Sequence, residues 1–457
     1  MLRIYDTAAR AKVDFVPRKE GAVSMYVCGV TPYDAPHLGH GRTAVAFDTV
    51  RRYLKWCGYR VTYVSNVTDV EDRIIARAAE RGTTEPELAR EYEEVYWKQL
   101  ERLNISRPDD IPRATEFIPQ MLALIAELIA QGRAYVIEGN GVYFQVDAFP
   151  EYGKLSRRTL SELLESAGAR VEVDEEKRSP VDFALWKAAK PGEPSWESPW
   201  GHGRPGWHIE CSAMSLEILG EGFDIHGGGD DLVFPHHENE IAQAEGAGHG
   251  FARHWLHAGM VNVDGEKMSK SLGNFTTLTD VLDAYGAATY RLLVLQTHYR
   301  RQMEVAAAEL DAARKAVERF ANMFGRAQRE GLFDLDAPRD EAVVEAFRAA
   351  MDDDFDTPAA IAVVFDAARQ ANSAIDDGAP NATSLVRTIH ELLHEPLGLD
   401  IAATVTESDG EIDALVAARD DARARKDFAE SDRIRDELRD RGIVLEDTPR
   451  GTVWRRG

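Results

Sequence analysis

The amino-terminal part of the chain alternates between short apolar runs and a helical period. Residues 24–28 form an apolar run that predicts a strand, and residues 60–66 form a second one. Between them, apolar side chains recur every three or four positions and predict a helix that starts at the His37 segment and ends near Gly58. A strand, a helix and a second strand in this order are typical of the opening of a nucleotide-binding α/β sheet.

The pattern in the middle of the chain predicts an insertion into that sheet. Helical, charge-patterned sequence covers residues 72–102 and again 116–131. Residues 134–146 then alternate around a Gly-Asn-Gly turn, which predicts a hairpin. The sheet pattern resumes around residues 206–240 and includes the glycine run 227–229, where backbone can approach a ligand closely. An ordinary tight turn is the alternative for that run.

Beyond residue 271 the sequence is mainly helical and charged. The helical patterns cover residues 291–296, 305–328, 411–426 and 429–441. The run 351–358 contains three adjacent aspartates, which raise a metal site as an alternative. We favour a solvated turn that leads into a helix, with Thr357 as its N-cap and Pro358 in its first turn. Asp409 and Gly410 indicate a further boundary before the last helices and a small terminal module.

Composition favours a large globular protein of several parts. The chain has 457 residues, of which 44% are hydrophobic, so it can bury more than one core and two to four domains are expected. No apolar stretch is long enough to span a bilayer. The net charge of −24 argues against broad nonspecific nucleic-acid binding. A local basic strip would still allow nucleic-acid binding, and residues 411–457 are nearly balanced in charge.

Cysteine is used sparingly, at positions 28, 57 and 211 alone. With no secretory pattern at the start, a disulfide framework is not expected, and a reduced cytoplasm is the default location. Cys57 continues the apolar series Phe47, Val50, Leu54 and is therefore predicted to lie in the core.

Two short segments far apart in the sequence have the chemistry of phosphate binding. His37-Leu38-Gly39-His40 opens the first predicted helix, where backbone N–H groups and the helix dipole attract anions. Lys267-Met268-Ser269-Lys270-Ser271 places two lysines and two hydroxyls on a short loop. Either segment alone is equally compatible with a turn or a solvated loop. Together they predict one ATP site, provided that the fold brings them to one ligand.

A further set of residues has the composition of a zinc site. Cys28 closes the first strand, and Cys211 lies in the segment 206–212. His236 and Glu240 are four residues apart and share one face if a helix starts after Pro235. Two thiolates, an imidazole and a carboxylate suit the borderline softness of Zn²⁺. Taken singly, each cysteine could instead be a small buried hydrophobe and each histidine a turn residue.

In these motifs the chain resembles class I aminoacyl-tRNA synthetases, and the cysteine-containing set narrows the resemblance to the cysteinyl-tRNA synthetase family over essentially the whole chain. The resemblance implies catalytic and ATP-binding roles for His37, His40, Lys267 and Lys270, with Gly39 and Asp231 also at the ATP. It implies that Thr68 and Trp207 lie near the substrate cysteine, although both could be packing residues. It implies one Zn²⁺ held by Cys28, Cys211, His236 and Glu240, and Mg²⁺ bound with ATP.

The same resemblance implies a Rossmann-like parallel-sheet catalytic domain with a connective insertion, followed by an all-α bundle and a small anticodon-binding module. The expected segments are 1–102 and 201–260 for the two catalytic halves, 103–200 for the insertion, 261–330 for the lysine loop and stem-contact region, 331–408 for the tRNA-binding bundle and 409–457 for the terminal module. The insertion is too short for a large editing domain, which agrees with selection of the thiol by a metal.

The implied function is ligation of L-cysteine to tRNA(Cys), through attack of the cysteine carboxylate on the α-phosphate of ATP and transfer from the adenylate to the terminal ribose. An alternative is the related cysteine ligase of mycothiol synthesis, which uses a sugar amine but lacks the terminal module and the Asn239-Glu240 continuation present here. A catalytically silent synthetase-like protein is a third hypothesis. The absence of an obvious exposed apolar seam favours a monomer.

Overall fold

The structure is a computed structural model that describes residues 1–159, 161–162, 164, 176–263, 277–401, 410–448 and 451–456. The predicted phosphate ligands Lys267 and Lys270 and the predicted boundary residue Asp409 lie outside the described residues. The chain folds as two compact units. The first comprises Met1–Arg314, Glu341–Phe365 and Glu391–Asp400, and the second comprises Lys315–Asp340, Asp366–His390 and Ile401–Gly457.

The strands are β1 (Arg3–Asp6), β2 (Ala11–Asp14), β3 (Ala22–Val30), β4 (Arg60–Val67), β5 (Ala134–Ile137), β6 (Gly141–Phe144), β7 (Phe183–Ala188), β8 (Gly203–Pro205), β9 (Ile225–Gly229), β10 (His254–Ala258), β11 (Val261–Val263), β12 (Met303–Val305), β13 (Ile443–Thr448) and β14 (Gly451–Arg456). The helices are α1 (Leu38–Trp56), α2 (Asp72–Arg81), α3 (Glu85–Arg102), α4 (Ile118–Ala130), α5 (Trp207–Leu219), α6 (Glu238–Ala247), α7 (Leu278–Tyr285), α8 (Ala287–Leu295), α9 (Ala307–Arg329), α10 (Glu341–Met351), α11 (Thr357–Asp377), α12 (Ala382–His394), α13 (Gly410–Ala424) and α14 (Phe428–Asp440). A single π-helical turn, Val233–His237, precedes α6.

The predicted parallel sheet is confirmed as four strands in the order β10-β9-β3-β4. Helix α1 connects β3 to β4, and β9 pairs with the other side of β3. The strand order therefore reverses between β3 and β9, which is where open α/β sheets bind ligands outside the carboxyl ends of their strands. The fold thus predisposes the ends of β3 and β9 to form a site.

The predicted hairpin is also confirmed, but it belongs to a larger antiparallel sheet in the order β5-β6-β7-β8. The sequence pattern did not predict β7 and β8. Strand β7 pairs with β6 across a long separation in the sequence, and β8 pairs with β7 and has only 3 residues, so no local alternation marks them. The core of this region includes Phe144 and Trp186, both almost fully buried.

The aspartate run 351–358 differs from the prediction of a solvated turn. Asp354 is fully buried, and its Oδ1 accepts from the Tyr5 backbone N–H at 2.7 Å and from the Tyr299 hydroxyl at 2.8 Å. Arg300 donates from Nε to Oδ2 at 2.7 Å. Asp354 therefore ties together three distant parts of the first unit, and the described residues form no metal-ligand group here.

Two smaller expectations are also corrected. Helix α11 already includes Thr357, and its N-cap is Asp356, whose Oδ1 accepts from the Ala359 N–H at 3.1 Å. Cys57 is only half-buried, because it lies at the C-cap of α1, where its sulfur accepts a 3.6 Å hydrogen bond from Arg348.

In the second unit, the last helices and strands form a small module. Strands β13 and β14 pair as an antiparallel hairpin. The apolar cluster of this module consists of Ile412, Val416, Ile434, Leu438, Ile443 and Trp454. The indole N–H of Trp454 donates to Asp413 at 2.7 Å, which fixes β14 on α13. Among the described helices, none combines the length and the apolar character needed to cross a membrane.

Candidate active site

A cavity of about 480 Å³ opens at the carboxyl ends of β3 and β9. Its wall includes Cys28, His37, Gly39, His40, Trp207 and Asp231, all of which the sequence singled out. Gly259, Met260 and Val261 form another part of the wall, and β11 starts there. The histidine motif and the first residue of β11 therefore line one cavity. The lysine motif follows β11 in the sequence.

The histidine motif forms the start of α1. The His37 backbone N–H donates to Nδ1 of His40 at 3.1 Å, and the two rings lie 3.8 Å apart between centroids. A Cβ atom on Gly39 would lie 2.9 Å from Cε1 of His37, so a side chain at this position would displace the His37 ring. Burial lowers the pKa of His37, and it lowers the pKa of His40 to about 3, so His40 is neutral at neutral pH.

The glycine run at the end of β9 has a packing role. A Cβ atom on Gly227 would lie 2.3 Å from Cε1 of Phe47, on α1. The absence of a side chain thus lets α1 pack against β9. Asp231 follows the run and lies exposed at the cavity wall. Its negative charge partly opposes the lowering of the His37 pKa by burial.

Four donor atoms of the predicted metal set converge behind the cavity. Those of Cys28, Cys211, His236 and Glu240 all lie within 4.8 Å of one another. The two sulfurs are 3.7 Å apart, and Glu240 Oε1 lies 3.5 Å from Cys28 Sγ. The π-helical turn and α6 place His236 Nε2 3.0 Å from Glu240 Oε1. These four donors form a possible metal-binding site, and their chemistry fits Zn²⁺.

The interactions within this cluster favour a thiolate at one of the two cysteines. The hydrogen bond from the Cys28 thiol lowers the pKa of Cys211 to about 6. Burial raises the pKa of Cys28 well above its ordinary value, so the pair shares one proton at neutral pH. Burial alone would lower the pKa of His236, but the charges of Glu240 and Cys211 raise it to about 10. A cation bound at this set would displace these protons.

Sequence reasoning missed a group of buried histidines around the same set. His226 Nε2 lies 2.8 Å from Glu240 Oε2, and His237 Nε2 lies 3.4 Å from Cys28 Sγ. His257 Nε2 lies 2.7 Å from His237 Nδ1. His226 and His237 together with Cys28 and Glu240 form a second group of donor atoms within 4.8 Å. The sequence shows four histidines, at positions 226, 236, 237 and 257, within a short stretch. The register of β9 and β10 is needed to see that their side chains lie close together.

The two predicted substrate residues have different environments. Trp207 is 37% exposed at the cavity, and its ring lies 4.3 Å from that of His236 between centroids. Thr68 is buried behind the wall, where its hydroxyl donates to Glu210 Oε2 at 2.9 Å. Burial, and to a smaller extent the charge of the nearby Cys211, raises the pKa of Glu210 well above its ordinary value. The charge of His236 opposes this rise.

Comparison with known protein families gives three matches along the chain. Residues 14–315 match the model described as tRNA synthetases class I (C) catalytic domain. Residues 346–401 match the DALR domain, and residues 406–455 match the cysteinyl-tRNA ligase anticodon binding domain.

Individual proteins agree with these matches. The chain is 52% identical to a cysteine–tRNA ligase of Halorhodospira halophila over 465 residues, with 100% of both chains covered. It is 51% identical to a cysteine–tRNA ligase of Methylobacillus flagellatus over 462 residues, again with 100% of both covered. Among solved structures, a methionyl-tRNA synthetase of Mycobacterium tuberculosis in complex with methionyl-adenylate superposes with a TM-score of 0.61 at 18% identity. That match covers 82% of this chain and 92% of the other, and shows a shared fold. From the full-length identity and the matched catalytic domain, the chain belongs to the cysteine–tRNA ligase family of class I aminoacyl-tRNA synthetases.

Proposed function

We propose that this protein activates L-cysteine with ATP and transfers it to the 3'-terminal ribose of tRNA(Cys). The observation that carries the proposal is the position of two sites at one sheet edge. The phosphate-binding histidines open α1 at the cavity, and the Cys28 and Cys211 donor set lies directly behind it. An amino acid anchored at the donor set would present its carboxylate toward an ATP held at α1.

In the first step, a carboxylate oxygen of cysteine attacks the α-phosphorus of ATP, and the bond to the bridging oxygen breaks to release pyrophosphate. Charge accumulates on the phosphate oxygens, so catalysis depends on positioning and electrostatic stabilisation. His37 and His40 donate hydrogen bonds as neutral rings, and the start of α1 adds backbone donors. Lys267 and Lys270 neutralise the developing charge, and Mg²⁺ accompanies the ATP. In the second step, a terminal ribose hydroxyl attacks the adenylate carbonyl carbon and AMP leaves.

The donor set gives the protein a means of choosing cysteine over serine. Zn²⁺ bound there would supply a soft Lewis acid that prefers a thiolate to a neutral hydroxyl. Cys28, Cys211, His236 and Glu240 would hold the ion. Shape alone distinguishes groups of this size by only about 1–3 kcal/mol, so a chemical distinction is needed. Trp207 covers His236 and encloses the substrate side of the set.

The remaining parts of the proposal concern the partner and the setting of the reaction. We assign residues 331–408 to tRNA binding and residues 409–457 to binding of the anticodon. The matched domains support this assignment. A monomer in the cytoplasm is the form in which we expect the protein to act.

The acceptor is tested by offering purified protein ATP, Mg²⁺ and labelled cysteine with total tRNA in one reaction and glucosaminyl-inositol in another. We expect label on tRNA alone. Transfer only to the sugar amine would assign the protein to mycothiol synthesis. Transfer to neither acceptor, with the metal bound, would indicate a catalytically silent protein.

A further inference from the structure

Arg73 is a cation at the cavity that the proposed chemistry does not yet use. It lies exposed at the cavity wall, in the first turn of α2. Its guanidinium packs over the ring of Tyr33, 5.6 Å from the ring centroid, and has no ion pair and no hydrogen bond among the described residues. Arg77, one turn further along α2, pairs with Glu80 at 3.1 Å and with Asp34 at 3.8 Å. Of these two arginines, Arg73 therefore remains available to an anion from outside the chain.

The backbone at Arg73 is held in place independently of that guanidinium. The side chain of Glu71 caps α2 by accepting from the Arg73 backbone N–H at 2.6 Å. Asp72 pairs with Lys187 at 2.7 Å and also with Arg204. Both preceding carboxylates thus have partners of their own, and the Arg73 side chain starts from a fixed point. A group that is positioned in advance loses less freedom when its ligand binds.

An aromatic arm forms a further part of the same cavity. We give this name to the wall formed by Tyr63 on β4 and by Tyr96, Trp97 and Leu100 on α3. The arm begins beside the histidine motif, because the rings of Tyr96 and His40 lie 6.2 Å apart between centroids. The rings of Tyr96 and Trp97 meet edge to face at 5.0 Å. Aromatic walls bind nucleobases by stacking, since every base has a π face.

The order of the parallel strands places Arg73 and the aromatic arm on the side of the cavity away from β11. In the sheet β10-β9-β3-β4, β10 and β4 are the two edges. Gly259 follows β10, whereas Arg73 lies on the helix that follows β4. Three strand spacings put about 14 Å between the two edges. Strand β3, which carries Cys28 and leads to the histidine motif, lies between them.

The two substrates of the first step leave the β4 side of the cavity open. Under the proposed function, cysteine is anchored at the metal set, and the lysine motif that neutralises the triphosphate follows β11 in the sequence. The ribose hydroxyl of the second step then has to reach the adenylate from another direction. A phosphate for Arg73 and a base for the aromatic arm are parts of one nucleotide. The terminal nucleotide of tRNA carries both, together with that hydroxyl.

We propose that the β4 side of the cavity is the subsite for the 3'-terminal nucleotide of tRNA, with Arg73 at its phosphate and the aromatic arm at its base. This inference rests on the proposed function, because it assumes that tRNA is the acceptor. ATP carries the same two chemical groups, so the experiment has to separate the two nucleotides.

The first measurement is equilibrium binding of intact tRNA(Cys), and of tRNA(Cys) that lacks its terminal nucleotide, to the metal-loaded protein. We expect Arg73→Gln to bind intact tRNA about tenfold more weakly than the wild type does, the loss of a hydrogen bond to a charged group. The truncated tRNA should bind equally to both proteins, because the phosphate that Arg73 contacts is missing. Arg77→Gln is the matched control, since Arg77 lies on the same helix and is already paired, and it should bind both tRNAs as the wild type does.

The second measurement compares the two steps of the reaction. Arg73→Gln and Tyr96→Leu should slow transfer from the preformed adenylate to tRNA by about tenfold. Cysteine-dependent ATP–pyrophosphate exchange, which involves no tRNA, should change by less than about twofold in the same variants. Arg73→Lys should transfer faster than Arg73→Gln because it keeps the positive charge, and Tyr96→Phe should transfer faster than Tyr96→Leu because it keeps the ring.

Each result has a defined meaning. Equal weakening of intact and truncated tRNA by Arg73→Gln would place the contact elsewhere on the tRNA and overturn the inference. Equal losses in exchange and transfer would assign the β4 side to ATP and overturn it as well, as would wild-type behaviour of Arg73→Gln in both measurements. Wild-type protein that charges no tRNA would instead contradict the proposed function. If Tyr96→Leu fails to fold, Arg73→Gln decides, because Arg73 is exposed.

Discussion

Arg42 Nε donates to the carbonyl oxygen of Gly259 at 3.2 Å. This fully buried guanidinium also donates to the carbonyl oxygens of Val294, His298, Tyr299 and Arg301. Burial lowers the pKa of Arg42 to about 10, so it remains charged at neutral pH. Arg42 therefore connects α1, whose first turn includes His40, to Gly259, which lies shortly before β11 in the sequence.

Replacing Arg42 by Ala should destabilise the protein strongly, because several buried carbonyl oxygens would lose a charged donor. We expect a loss of about 3 kcal/mol or more in the free energy of unfolding, measured by urea titration. Arg60→Ala is the matched control, since Arg60 is exposed at the start of β4, and it should change stability by less than about 0.5 kcal/mol. Equal midpoints for the two variants would contradict this account of Arg42.

Replacing Cys211 by Ser should remove bound metal and cysteine activation together, because the variant loses the thiolate that its low pKa provides. The measurements are metal content after dialysis and cysteine-dependent ATP–pyrophosphate exchange. Cys57→Ser is the control, because Cys57 lies at the end of α1 and outside both donor groups. It should keep metal and activity. Full activity in metal-free Cys211→Ser protein would exclude a role for the metal in activation.

His226 should act on metal affinity through Glu240. Its Nε2 lies 2.8 Å from Glu240 Oε2, and loss of such a supporting partner typically weakens metal binding by about 10–100-fold. We expect His226→Ala to release Zn²⁺ to a competing chelator at a correspondingly lower chelator concentration. His202→Ala, at an exposed position, should match the wild type. Unchanged affinity in His226→Ala would show that Glu240 needs no such support.

The stability of the first unit should depend on pH through His249. Hydrogen bonds to Glu127 and Glu221 raise the pKa of His249. The contribution is fully present below the ordinary pKa of about 6.5 and is lost as the pH rises through the raised pKa. Because the side chain is 33% exposed, we expect less than about 1 kcal/mol. His249→Gln should thus cost more stability at about pH 5.5 than at about pH 8.5. An equal cost at both pH values would contradict the pairing.

Local patterns were sufficient to predict the β3-α1-β4 opening and the hairpin of β5 and β6, because each is built from neighbouring residues. They also predicted that His236 and Glu240 share a face, since a helical turn brings residues four apart together. Each of these predictions needed only the periodicity of the backbone.

Contacts between distant segments could not be predicted in this way. The pairing of His226 with Glu240 depends on the register of β9 between β3 and β10. Asp354 looked like a solvated aspartate because its partners, Tyr5 and Arg300, are far from it in the sequence. The hydrogen bond from Thr68 to Glu210 was hidden for the same reason, since the two residues are 142 positions apart.

We propose that the donor set contributed by β3, α5, the π-helical turn and α6 selects a thiol for activation by ATP. The most direct test is ATP–pyrophosphate exchange by the metal-loaded wild-type protein, with cysteine and with serine as the only amino acid. The account predicts that the efficiency with cysteine exceeds that with serine by a factor of about 10⁴ or more. Comparable efficiencies with the two amino acids would contradict it.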